Sequence, residues 1–377
     1  MTLPGRLPGD AGGSGRADPH GPRRTPFPKP NGTFMDLDTR PLSSAALARQ
    51  WLAPKVVVIT GASSGIGRAT ALAFAERGHH VVLAARDEGT LKPIADECEA
   101  AGGRALVVPT DVTDAAAVRA LANHAIAHFG HVDVWFNNVG VGAVGLFDET
   151  PIEAHRRVVE SNLLGHMHGA HAILPHFRAE GRGTLINMIS LGGWVPSPYA
   201  TAYSATKFGL RGFSEALRAE LSVTPDIHVC EIYPTFVDTP GINHGANYTG
   251  RRLKPPPPLL DPRRIASVVL SLTTRPRPKV YVGAPSWPGI VAQALAPGWV
   301  GTAMMWITGR ALERATPADQ SEGNLFEPSQ GNDVDGGFRA SMRESTAQAS
   351  KVALAVGAVA LVVWALQPPK RQRPRRD

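Results

Sequence analysis

Between residues 55 and 284 the hydrophobic positions switch repeatedly between two patterns, short solid apolar runs and stretches with apolar residues three and four apart. Val56-Val57-Val58-Ile59 is a solid β-branched run, the pattern of a strand covered on both faces. Helical periodicity over residues 68–77 stops at Gly78, a natural C-terminal signal. A strand is expected over 80–85, a helix over 88–101 and a strand over 105–109. Thr113 or Asp114 then caps a helix over 115–129. A strand at 132–136, helical stretches over 151–176, a strand at 183–188 and a helix at 201–221 follow. The series closes with a strand at 227–233, a helix at 261–273 and a strand at 279–282.

Strands that alternate with helices need right-handed crossovers and a parallel sheet covered on both faces. The expected fold is therefore a Rossmann-type, doubly wound parallel sheet in three α/β/α layers over residues 51–284. Residues 1–50, rich in Gly, Pro and Arg at their start, are expected to be a disordered extension. Residues 254–258 hold four consecutive prolines and predict an irregular loop, and the polar stretch 315–350 reads as a linker.

The net charge of +7 points to nucleic acid only until it is located. Residues 1–50 contribute +3 and residues 367–377 contribute +4, so the body between them sums to zero. A neutral body argues against a nucleic-acid groove. Cys98 and Cys230 stand far apart with no CxxC or Cys/His cluster, which excludes a disulfide framework and a zinc site and fits a reducing compartment. No metal is expected. The N-terminus shows no apolar core of a secretory signal, and a cytoplasmic catalytic domain is expected.

Candidate chemistry starts at the end of the first strand, where KVVVITGASSGIG (residues 55–67) joins strand to helix through glycines. Backbone N–H groups of Gly61, Ser63, Ser64, Gly65, Ile66 and Gly67 at a helix N-terminus suit a phosphate, and the missing Cβ atoms let a pyrophosphate approach. Arg86 follows the second strand where an acid would bind a ribose 2′-OH, so a cation there favours NADP(H) over NAD(H). Asp111 and Val112 follow the third strand, where Asp111 suits the adenine amine. Asn138, Val139 and Gly140 form a tight turn after the fourth. Ser190 ends the fifth strand, and Tyr203 and Lys207 are four apart on one helix face, about 5–6 Å between Cβ atoms. A free tyrosine, with a pKa near about 10, is a poor base, and a neighbouring ammonium lowers that value.

Together these residues make the sequence resemble the short-chain dehydrogenase/reductase family. The resemblance rests on residues 60–67 (TGASSGIG), residues 137–140 (NNVG), Asn162, Ser190, Tyr203-x-x-x-Lys207 and residues 233–239 (YPTFVDT), and covers about residues 55–241. It implies an oxidoreductase in which Tyr203 is the acid/base, Lys207 binds the nicotinamide ribose and lowers the tyrosine pKa, and Ser190 orients the carbonyl. It also implies that Asn162 holds a water in the proton relay, that Pro234, Thr235, Val237 and Thr239 face the nicotinamide end, and that the protein is a homo-oligomer. Without the resemblance, Asn162 reads as a helix-distorting or capping residue. Val139 departs from the alanine common in the family's turn. The expected substrate is a hydrophobic carbonyl compound or alcohol, on the strength of Trp194, Val195, Tyr199 and Phe236, which ordinary packing also explains. The other reading is a catalytically silent nucleotide sensor or scaffold on the same fold.

Two apolar stretches lie beyond the core. Residues 285–314 are almost free of charge and carry Trp287, Trp299 and Trp306. They are open to three readings: a substrate-mouth lid, a membrane-surface element or a span. Residues 352–366 are fifteen apolar positions. At about 1.5 Å per residue they reach about 22 Å, short of the roughly 30 Å hydrocarbon core. With the basic run Lys370, Arg371, Arg373, Arg375 and Arg376 behind them, residues 351–377 read as a membrane anchor.

Overall fold

The computed structural model describes residues 53–283, 287–329 and 331–339. The expected N-terminal disorder and the expected anchor at 351–377 fall outside the described residues. Seven parallel strands form the main sheet: β1 (Val56–Thr60), β2 (His80–Ala85), β3 (Arg104–Pro109), β4 (Val134–Asn137), β5 (Gly183–Met188), β6 (Ile227–Pro234) and β7 (Lys279–Val282). Their spatial order is β3-β2-β1-β4-β5-β6-β7, the doubly wound sheet expected. The order reverses between β1 and β4, and ligands of such sheets lie beside the carboxyl ends of the strands at that point.

The solid apolar run of β1 explains the layering. Val57 and Ile59 pack on one face with Phe74 of α1 (Gly65–Ala75), Leu91 and Ile94 of α2 (Glu88–Ala100) and Ile265 and Val269 of the late helix Pro262–Leu272. Val56 and Val58 pack on the other face with Leu121 of α3 (Ala115–Phe129) and with Ile173 and Phe177 of the helix Gly165–Glu180. A strand clothed twice has no polar face, which is why it reads as continuous rather than alternating.

Residues 151–176 form two helices rather than one: α4 (Ile152–Val159) and α5 (Gly165–Glu180) are joined by a π-helical turn, Glu160–Leu164. The inserted turn carries Asn162, a helix distortion of the kind its residue type suggested. Beyond it lie α6 (Thr201–Glu220) and α7 (Pro262–Leu272), whose cap Asp261 accepts from the Arg263 N–H at 2.8 Å.

The stretch expected to be a linker is, over its described residues, a packed strap. Leu325 is fully buried among Ala143, Ala154, Val158 and Ala246, and Val334 fills a slot between Ala69 and Ala266. Arg339 donates to Asp238, Asp335 and Asp261, the last at 2.7 Å. Its polar, glycine-rich composition hid the strap, because two well-placed apolar side chains and one arginine hold it. Residues 287–313 form α8 (Trp287–Leu295) and α9 (Pro297–Glu313), neither of which buries a residue.

Candidate active site

The glycine turn after β1 is set by close approach. Gly61 and Gly65 have φ of +66° and +54°, which favour glycine, and a Cβ on Gly67 would stand 2.0 Å from the Gly61 carbonyl oxygen. Only a bare backbone lets α1 start so near the strand. One cleft gathers most of the predicted cofactor residues. Gly61, Ser63, Ser64, Gly65 and Ile66 form its floor, Arg86, Asp111 and Val112 one end, and Asn138, Val139, Gly140 and Thr239 the other. Gly67 sits behind the turn. Pro234, Thr235 and Val237 do not join the cleft wall: Thr235 donates its N–H to the Val282 carbonyl at 3.0 Å, and Val237 is buried against the core. Of that segment only Thr239 reaches the cleft, because hydrogen bonding to β7 turns the chain away first.

The turn after β4 is cross-braced. The Asn138 amide donates to the carbonyls of Thr60 and Gly61, both at 3.2 Å, and its N–H donates to Thr60 Oγ1 at 3.0 Å. His166 is buried and reaches the Val139 carbonyl through Nε2 at 2.9 Å. Burial, with Lys207 nearby, pulls its imidazole down to about 3, so it is neutral.

At the end formed by Arg86 and Asp111, two side chains expected to meet a nucleotide are engaged by the protein itself. Asp111 accepts from Arg157 Nη2 at 2.7 Å, from the Thr113 hydroxyl at 2.8 Å and from the Thr113 N–H at 3.0 Å. Burial pushes its carboxyl up, and these bonds outweigh that and hold it below its ordinary range. Arg86 donates to four carbonyls of the strap. Burial lowers its pKa, with Asp111 acting against that. Arg157, His244, Asn324, Pro328 and Ser329 also line the cleft. None carried a sequence signal, and Arg157 lies within the stretch 151–176 read simply as helical.

Ser190, Tyr203 and Lys207 converge beside the other end. Ser190 follows β5 by two residues and holds a strained φ of 142°, braced by the Gly192 N–H on its Oγ at 3.1 Å. Its hydroxyl hydrogen-bonds Tyr203, which works against the rise that burial imposes on the phenol. Lys207 is 2% exposed, lies 5.5 Å from the Tyr203 ring centroid and donates from Nζ to the Met188 carbonyl at 3.0 Å. Burial pulls its ammonium down to about 7. Among the protein's own groups, then, burial raises the Tyr203 phenol and the group that acts against that rise is Ser190, where the sequence points to Lys207. A Cβ on Gly140 would come within 3.7 Å of Lys207 Nζ, so the ammonium borders the glycine-floored cleft.

The wall expected to meet substrate is partly packing. Trp194 lies under the Arg211 guanidinium at 4.1 Å and against Tyr233, whereas Phe236 is half exposed.

The short chain dehydrogenase family profile matches residues 55–246. The uncharacterized oxidoreductase YxnA of Bacillus subtilis (strain 168) is 33% identical over 277 residues, 73% of this chain and 76% of its own length. An alcohol dehydrogenase from the archaeon Thermococcus sibiricus, solved with 5-hydroxy-NADP, superposes with a TM-score of 0.55 at 30% identity, covering 62% of this chain and 98% of its own. A short chain dehydrogenase/reductase from Burkholderia phymatum, solved with NAD, gives a TM-score of 0.56 at 28% identity over 72% of this chain and 98% of its own.

Proposed function

This chain belongs to the short chain dehydrogenase family, and we propose that it is an NADP(H)-dependent oxidoreductase acting on a hydrophobic carbonyl compound or secondary alcohol. The observation that carries the reading is the convergence of Ser190, Tyr203 and Lys207 at the edge of the glycine-floored cleft. Relatives solved with 5-hydroxy-NADP and with NAD support a nicotinamide nucleotide. Arg86, a cation where an acid would select a free ribose, supports NADP(H).

The glycine turn offers main-chain N–H groups to the pyrophosphate, Asp111 and Val112 border the adenosine, and Gly140, Thr239 and Lys207 border the nicotinamide end. When bound, the nicotinamide accepts or delivers the hydride. Tyr203 gives its proton to the substrate oxygen in reduction and takes it back in oxidation. Ser190 hydrogen-bonds the same oxygen and holds it within reach of the phenol. Lys207, while protonated, places a cation beside Tyr203 and favours the phenolate when the phenol has given up its proton. Asn162 positions the cofactor turn.

NADPH oxidation with a panel of hydrophobic ketones tests the reading. Turnover is expected with at least one bulky apolar ketone. Nucleotide binding without turnover of any ketone or alcohol would favour the silent-sensor alternative.

We also infer that the protein meets a lipid surface through residues 287–313, together with residues 351–377. Trp287, Trp299 and Trp306 are 68%, 75% and 64% exposed, and Arg310 is the one charged residue between 280 and 312. Tryptophan at a headgroup boundary and an adjacent arginine suit an element lying on the membrane. No helix among the described residues is long and apolar enough to cross it. Co-sedimentation with anionic liposomes is expected, and replacing the three tryptophans by serine should weaken it several-fold. Equal recovery in the supernatant with and without liposomes would end this part of the reading.

A further inference from the structure

Arg86 stands at the carboxyl end of β2, the corner where the adenosine ribose is expected, but a distant segment holds it. Nη1 donates to the carbonyls of Leu325 at 3.3 Å and Phe326 at 3.1 Å. Nη2 donates to those of Asn324 and Glu327, both at 2.8 Å. From there the strap follows the mouth of the cleft. Pro328 and Ser329 line it, the Asn332 carbonyl accepts from Arg68 at 2.6 Å, and the Asp333 carbonyl accepts the Gly65 N–H at 2.9 Å.

All four acceptors at Arg86 are neutral dipoles. The nearby Asp111 carboxylate is committed to Arg157 and Thr113. The guanidinium is thus a cation at the cleft wall held by partial charges. Hydrogen bonds between two ionised groups are about twice as strong as neutral ones, and guanidinium pairs with phosphate in a two-pronged geometry that carbonyls do not reproduce. A phosphate reaching this corner has the stronger claim, and it cannot take Nη1 and Nη2 while the four carbonyls keep them.

We propose that the strap and the 2′-phosphate of NADP(H) compete for Arg86, so that residues 324–327 set how strongly this chain prefers NADP(H) over NAD(H). The proposal rests on the nicotinamide-dependent reading above. With the strap seated, the 2′-phosphate gains Arg86 only by taking it from four carbonyls, and the preference is blunted. With the strap loosened, Arg86 is released to the phosphate and the preference sharpens. The coupling is reciprocal: bound NADPH loosens residues 324–327, and NADH does not.

Gly323 provides the test, because it lies in the strap and outside the cleft. Its φ is +53°, and a Cβ there would stand 2.3 Å from the His244 carbonyl oxygen and 2.5 Å from the Gly245 carbonyl carbon. Gly323→Ala therefore pushes the strap off its seat. Arg339→Gln loosens the same strap from its far anchor on Asp238, Asp261 and Asp335, and serves where Gly323→Ala fails to fold. Dissociation constants of NADPH and NADH are measured by fluorescence titration on the full chain, its two strap variants, Arg86→Ala and the double variants. NADPH and NADH differ only in the 2′-phosphate, so the ratio of the two constants isolates that group. In the strap variants the ratio should shift toward NADPH by at least about fivefold, the lower end of ordinary coupling between sites. In the Arg86→Ala background the same strap changes should leave it unmoved. A ratio that stays constant while both nucleotides weaken or hold together would make the strap a simple wall and overturn the competition, with the oxidoreductase reading intact. Failure of both nucleotides to bind the unaltered protein would overturn the competition and the nicotinamide-dependent reading together.

Discussion

The side-chain amide of Asn162 is paired with the backbone of Val141 in both directions. Oδ1 accepts the Val141 N–H at 2.8 Å, and Nδ2 donates to the Val141 carbonyl at 2.8 Å. The second amide hydrogen faces Thr206 Oγ1 at 3.4 Å. With its side chain spent in this way, Asn162 acts by fixing the turn from Asn138 to Val141 against α6, and the π turn is what brings it there.

Asn162→Asp should keep the acceptor and lose the donor, leaving the part-buried Val141 carbonyl without its amide partner. A stability loss of about 1–3 kcal/mol is expected, in the range for an orphaned buried group. The nucleotide affinity should fall with it, because the turn it braces lines the cleft. Urea unfolding and NADPH titration on the same variant check both parts.

Tyr203→Phe removes one hydroxyl and, with it, the partner of Ser190. Turnover should drop by about 10²–10⁴-fold, the usual worth of a positioned acid/base, while NADPH binding changes little. Steady-state kinetics beside a fluorescence titration separate the two. Retained reductase turnover would take Tyr203 out of the mechanism.

Lys207 makes stability depend on pH in a direction set by its burial. Its folded-state pKa is about 7, against an ordinary 10.5. Between those values the unfolded chain holds a proton that the folded protein has released, so this group makes stability rise as pH climbs from about 7 toward 10.5. Below about pH 7 both states carry the proton and the folded protein bears the full cost of a buried charge. Lys207→Met should therefore flatten the rise between pH 7 and pH 9 in urea denaturation. An identical slope in both proteins would contradict the assignment.

Gly67→Ala places a methyl group where 2.0 Å separates it from the Gly61 carbonyl oxygen. The turn has to shift, at a cost of about 1–3 kcal/mol for overpacking. NADPH binding should weaken far more than the stability loss alone would imply, because the displaced backbone is the floor of the cleft. Thermal melts with and without NADPH measure the two effects together.

Much of this protein is legible along the chain because its signals are local. The β-branched run of β1, the glycine spacing that follows it and the Tyr203–Lys207 interval each depend on neighbours within a few residues. Periodicity and backbone sterics therefore determined the sheet, its layering and the catalytic triad's candidates. What stayed hidden depends on contacts between distant residues. Thr235 is held off the cleft because β7 claims its N–H, Val237 is buried against the core beside Leu260, and Asp111 is taken by Arg157, 46 positions later. The largest revision concerns residues 315–339, whose polar composition reads as linker. Three-dimensional packing alone seats Leu325 and Val334 in apolar slots and closes four carbonyls on Arg86. Local propensity cannot register this, because such a segment is held by partners that include Asp238, Arg86 and Arg68, 101, 240 and 264 positions away, rather than by its own pattern.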